Sequence, residues 1–132
     1  MASYLLDSNA FLWVKTDPHH ARREAIAEIV DPANDVFVSV AAIWELAIKS
    51  AMGKLDPPVP IDSSDAIVSA LRESGFNLLA IQLSHALAAA WLPRHHRDPF
   101  DRMMIAQAQH EDLVVVTRDT VFKRYGVRVL AI

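Results

Sequence analysis

Hydrophobic positions fall into two patterns that take turns along the chain. Short unbroken runs recur at Tyr4-Leu5-Leu6, Val36-Phe37-Val38-Ser39-Val40, Asn77 to Ile81, Leu113-Val114-Val115-Val116 and Arg128-Val129-Leu130-Ala131-Ile132. Their brevity, β-branched content and lack of a polar face predict strands buried on both sides. Between them, apolar residues spaced three and four apart predict helices. One begins at Ala10-Phe11-Leu12-Trp13-Val14, with Ser8 or Asn9 as its cap, and the next covers Ala21 to Val30 behind an Asp17-Pro18 start. Ala41 to Met52 is capped by Ser39 and closed by Gly53, and Asp62-Ser63-Ser64-Asp65 opens a helix that Gly75 ends. Ser84 to Leu92 stops at Pro93, Pro99 starts a helix that runs to Glu111-Asp112, and a short helix leads through Tyr125 to Gly126. Asp56-Pro57-Pro58-Val59-Pro60 suits neither helix nor central strand and reads as a stiff connector. Strand and helix in alternation imply an α/β fold, with a mostly parallel central sheet of four to five strands flanked by helices.

Composition narrows this picture. With 132 residues, 52% of them hydrophobic, the chain fits one domain, 1–132, able to bury about two-thirds of its unfolded surface. There is no Cys, which excludes a disulfide framework and a thiolate metal site and fits a reducing cytoplasm. The N-terminus lacks a basic leader before an apolar run, and no apolar stretch approaches the roughly 18 residues of a membrane span, so a cytoplasmic protein with no membrane partner is expected. A net charge of −3 does not advertise a basic nucleic-acid surface, so a polyanion would be met locally or through metal ions.

The candidate chemistry lies in the acids. Asp7 and Asp119 each stand just beyond the C-terminal end of a predicted strand, where open parallel sheets place their function. Glu45 falls in the second turn of the helix after a strand, four residues from Lys49, close enough for an ion pair. Asp98 is placed to cap the helix that Pro99 begins, and Asp101 sits in its first turn, where a carboxylate favours the helix dipole. Helix-start chemistry alone explains both of these acids. The topology, however, brings four or five carboxylates to one face, and so many like charges are costly together unless a cation lies among them. All-oxygen ligands select a hard ion, Mg²⁺ with Mn²⁺ as the alternative, over zinc. His95 and His96, flanked by arginines, read as a solvated loop.

In this order the residues resemble a known family. A strand ending in Leu-Asp-Ser, Trp44-Glu45-Leu46-Ala47-Ile48-Lys49 with Gly53-Lys54-Leu55, Asp98-Pro99-Phe100-Asp101-Arg102 and Thr117-Arg118-Asp119 together resemble a PIN-domain ribonuclease, the VapC-type toxin of a type II toxin–antitoxin system. The resemblance implies a metal-dependent endoribonuclease in which Asp7, Glu45, Asp101 and Asp119 hold the ion and Asp98 belongs to the same catalytic signature. It further implies an RNA substrate, a VapB-like antitoxin covering the pocket, and a homodimer. Thr117 is a candidate partner for a pocket carboxylate, and Arg102, Arg118, Lys49 and Lys54 for phosphate contacts. Trp13, Trp44, Leu46 and Ile48 are candidates for the antitoxin groove. Two other readings compete: an aspartyl-phosphate phosphotransferase or phosphatase built on Asp7, although Asn9 replaces the expected second acid, and a non-catalytic binding module.

Overall fold

The computed structural model describes residues 1–57 and 60–132. Among these, five strands form one sheet: β1 (Ser3–Leu6), β2 (Asp35–Ser39), β3 (Asn77–Leu79), β4 (Val114–Thr117) and β5 (Val129–Ala131). Their order is β3-β2-β1-β4-β5 and every pairing is parallel. The mostly parallel sheet of four to five strands expected from the apolar runs is therefore present, with five strands and every pairing parallel. Six α-helices accompany it among the described residues: α1 (Ser8–Thr16), α2 (Arg23–Val30), α3 (Val40–Ala51), α4 (Ser64–Ser74), α5 (Leu83–Trp91) and α6 (Pro99–Glu111).

Burial explains why the runs are unbroken. Leu5 and Leu6 of β1, Val38 of β2, and Val115 and Val116 of β4 have no exposed surface, so both faces of the central strands need apolar side chains. Phe11, Leu46, Met104, Ile105 and Phe122 cover them from the helical layers, also fully or almost fully buried. Each such side chain contributes roughly 1.5–3 kcal/mol through apolar area withdrawn from water. α6 packs on α5 and α3, which ties the last third of the chain to the middle.

The chain leaves β1 for β2 on one side, and β4 later fills the other side of β1. The order thus reverses between β1 and β4, and a crevice opens at the carboxyl ends of these two strands. No helix among the described residues is long and apolar enough to cross a membrane.

Three local expectations are corrected. The cap of α1 is Asp7, whose Oδ1 accepts the Ala10 N–H at 2.8 Å, rather than Ser8 or Asn9, which both lie inside the helix. Asp17-Pro18 does not start the second helix; Pro18–His20 is a separate 3-10 turn in which Asp17 makes no side-chain cap bond, and α2 begins at Arg23. The short helix before Gly126 is likewise a 3-10 turn, Thr120–Tyr125. Pro58 and Val59, in the expected connector, lie outside the described residues.

Candidate functional site

The crevice between β1 and β4 holds a cleft of about 240 Å³ lined by Asp7, Glu45, Asp98, Asp101 and Asp119, with Lys49 and Arg118 as the cations in its wall. Asp7 enters from the end of β1, Glu45 from the second turn of α3, Asp98 and Asp101 from the start of α6, and Asp119 from just beyond β4. Five carboxylates thus come from four separate parts of the sequence.

Four of the five acids are held by hydrogen bonds, and three of these four also cap a helix or turn. Asp7 is 8% exposed; its Oδ1 caps α1 and its Oδ2 accepts the Thr117 hydroxyl, while its N–H donates to Val116 O at 3.1 Å. Thr117, fully buried, also accepts the Asp119 N–H at 3.0 Å, so one hydroxyl ties together the acids that follow β1 and β4. Glu45 accepts the Ser8 hydroxyl on Oε1 and meets Lys49 Nζ at 3.2 Å on Oε2. Asp98 caps α6 through Oδ1, which accepts from Phe100 N–H at 2.8 Å and Asp101 N–H at 3.3 Å. Asp119 caps the 3-10 turn by accepting the Val121 N–H at 2.9 Å.

Crowding shows in the electrostatics. Burial pushes the Asp7 carboxyl above its usual range, opposed by its bonds to Thr117 and Ala10 and reinforced by Glu45 and Asp119. Asp101 is pushed up to about 7, first by burial and then by Asp98, with His96 pulling the other way and Glu45 and Asp7 adding to the rise. Two acids that burial and neighbouring carboxylates hold back from ionising are what a divalent cation would relieve.

A PIN domain model matches residues 4–128, nearly the whole chain. The chain belongs to the PIN domain family. Ribonuclease VapC16 of Mycobacterium tuberculosis is 28% identical, over 68% of this chain and 81% of that protein. Among solved structures, the DNA-bound VapBC of Salmonella typhimurium is 24% identical with a TM-score of 0.66, covering 99% of this chain and 98% of that one. VapBC2 of Rickettsia felis, bound to a DNA fragment from the promoter, is 14% identical with a TM-score of 0.70 and covers 98% of each chain. These structural likenesses extend the fold assignment to the full length of the PIN domain.

Not every residue singled out in the PIN sequence reaches the cleft. Arg102 turns to the end of α5, where its guanidinium donates to Ala89 O at 2.8 Å, Leu92 O at 2.9 Å and Pro93 O at 3.0 Å. There it satisfies the open carbonyls of a helix terminus. Arg118 lines the cleft, but its Nε–H donates to Ile132 O and its Nη2–H to His20 O, both at 3.0 Å, and its guanidinium lies 4.1 Å from the centre of the Trp13 ring. Lys49, 46% exposed, is the cation left at the rim, and Lys54 is exposed but does not line the cleft. Leu46 is core and unavailable to a groove, and Trp13 is half-buried, whereas Trp44 and Ile48 are at the surface.

One residue expected in a solvated loop is part of the cluster. His96 Nε2 lies 2.9 Å from Asp101 Oδ2 and 3.0 Å from Asp119 Oδ2, with the ring largely covered. Its position two residues before the Asp98 cap was the available signal, since a side chain there lies beside the first turn of α6.

Proposed function

We propose that this PIN domain is a metal-dependent endoribonuclease of the VapC kind, the toxin of a toxin–antitoxin pair, and that it cuts RNA phosphodiester bonds at the cleft between β1 and β4. The observation that carries the reading is the convergence of Asp7, Glu45, Asp98, Asp101 and Asp119 on one cleft in a chain of this family. The ribonuclease relative supports RNA as the substrate.

In this reading Asp7, Glu45, Asp101 and Asp119 hold Mg²⁺, or Mn²⁺ in its place, and Asp98 fixes the first turn of α6 so that Asp101 points inward. The bound ion supplies charge for the scissile phosphate and an acidified water. The chain's own residues set the geometry. Thr117 fixes the Asp7 carboxylate and the Asp119 backbone, Ser8 orients Glu45, and Lys49 stands where an RNA phosphate would approach. Asp101, protonated up to about pH 7, must release its proton before it ligates.

Protein partners have support on the surface. Trp44 and Ile48 on α3, the helix that carries Glu45 and Lys49, and Met52 at its C-terminal cap form an exposed stripe, which suits an antitoxin segment lying across the cleft. A second stripe, Leu83, Leu87 and Trp91, runs along α5 and suits a homodimer contact. A cytoplasmic location goes with an RNA target. The aspartyl-phosphate reading loses ground because both Asp7 oxygens already accept hydrogen bonds and Asn9 offers no second acid.

Incubating the antitoxin-free protein with labelled RNA and Mg²⁺ should give cleavage that EDTA stops and that Asp7→Asn lacks. Cleavage that survives both changes would sink the proposal. A module that only binds would give a metal isotherm with no cleavage at all.

A further inference from the structure

We propose that His96 is a positioning residue that occupies the cation's place: its Nε2–H donates to Asp119 and stands against Asp101, and a divalent ion binds only by displacing it. The inference rests on the metal-dependent reading above and concerns what holds the cleft when no ion does.

The hydrogen-bond directions decide the ring's role. Nδ1 lies 3.2 Å from the Asp98 nitrogen and accepts its N–H, so Nδ1 carries no proton and the ring proton sits on Nε2. Nε2 is therefore a donor, and it lies 2.9 Å from one carboxylate oxygen and 3.0 Å from another, on Asp101 and Asp119. The N–H donates to Asp119 Oδ2, and its positive end also lies against Asp101 Oδ2, which does in part what a cation between the two would do. Ligation through Nε2 would demand the opposite tautomer, with a proton on Nδ1 facing the Asp98 N–H, two donors in opposition. In the seated position the ring is thus a competitor of the metal and not a member of its ligand set.

The surroundings hold the loop while leaving the side chain a way out. The His96 N–H donates to the Tyr125 hydroxyl at 2.7 Å, that hydroxyl donates to Pro93 O at 2.7 Å, and His96 O accepts from Arg102 at 3.3 Å. The backbone is pinned at both of its polar groups, so release of Asp119 is a rotation of the side chain that breaks the Asp98 N–H bond. The ring edge faces Phe122 at 6.0 Å between centroids, an apolar wall that does not oppose such a swing with a polar bond. Asp101 and Asp119 are then uncovered together.

The test is a Mn²⁺ and a Mg²⁺ titration, by calorimetry in the absence of RNA, on wild type, His96→Ala, His96→Gln and Asp101→Asn, with melting temperature in EDTA as the check on folding. Losing a hydrogen-bond competitor to charged groups is worth about a tenfold change in dissociation constant. His96→Ala should bind Mn²⁺ about tenfold more tightly than wild type, and His96→Gln, whose amide N–H reaches the same place, should return toward the wild-type value. Weaker binding by His96→Ala would mean that His96 is a ligand, and an unchanged constant would mean that it does not compete; either overturns the proposal. If wild type binds and Asp101→Asn does not, the metal site itself stands whatever His96 does. If neither wild type nor His96→Ala binds either ion, the metal-dependent reading falls and takes the role of His96 with it.

Discussion

Asp101 carries two burdens, a place in the first turn of α6 and a share of a crowded acidic cleft, and its proton follows from the second. In the folded chain its carboxyl titrates at about 7, against about 3.9 for an unfolded Asp. Between these values the folded state keeps a proton that the unfolded state has released. Without metal, this group's contribution therefore makes stability fall as pH rises from about 4 to about 7, and level off above. Asp7, also raised, pushes in the same direction. Asp101→Asn should flatten that slope and raise the melting temperature in EDTA at pH 8 by roughly 3 °C or more, read by thermal denaturation across the pH series. A melting temperature lowered by Asp101→Asn at pH 8 would contradict the crowding argument. The sequence gives the identity of this acid through its helix-start position, but not its proton. A pKa depends on which distant carboxylates fold back against it, and only the assembled strands and helices decide that.

At the scale of elements, α6 is the piece on which the rest is hung. Its first turn aims the acids, Arg102 reaches back to the open carbonyls of α5, and Gln107 reaches into the sheet layer. Gln107 has no exposed surface; its Oε1 accepts the Ser39 hydroxyl at 2.6 Å and its amide donates to Ala80 O at 3.3 Å. Gln107→Leu would orphan the Ser39 hydroxyl and the Ala80 carbonyl and should cost about 1–3 kcal/mol in urea unfolding. Arg102→Ala should cost a similar amount, about 2 kcal/mol, by uncapping α5. Because Arg102 makes no cleft contact in this geometry, the surviving folded fraction should keep its affinity for RNA, measured by filter binding. A selective loss of RNA affinity with stability intact would return Arg102 to the phosphate-binding role. Element type was legible from apolar spacing, from Gly75 at the end of α4 and from Pro99 at the start of α6. The destination of a long cation was not. Arg102 beside two acids invites a substrate role, and only the position of the α5 terminus reveals its use.

For the whole molecule, the strand order explains how a chain of net charge −3 could still engage a polyanion. The reversal between β1 and β4 gathers acids at the carboxyl ends of two strands, and on the proposed reading a cation held there would turn a surface that repels a polyanion into one that attracts it. The alternation of strand and helix made this arrangement readable in outline, since Asp7 and Asp119 stand beyond strand ends in the sequence itself. Which strands are neighbours, and that His96 would join the cluster, came from packing across long sequence separations. The α5 stripe belongs to this scale too. Leu87→Glu should reduce the sedimentation coefficient from that of a dimer to that of a monomer, leaving the fold intact by circular dichroism. A wild-type protein that already sediments as a monomer would remove the homodimer from the account.

The central claim is that the acidic cleft cuts RNA only when it holds a cation. Its most direct test is to measure cleavage of a labelled RNA and heat of Mn²⁺ binding on the same preparation across one Mn²⁺ series. The account predicts that both rise together with the same half-saturating concentration, and that Asp7→Asn removes both. Cleavage at full rate in EDTA, or cation binding that saturates while cleavage never appears, would contradict it.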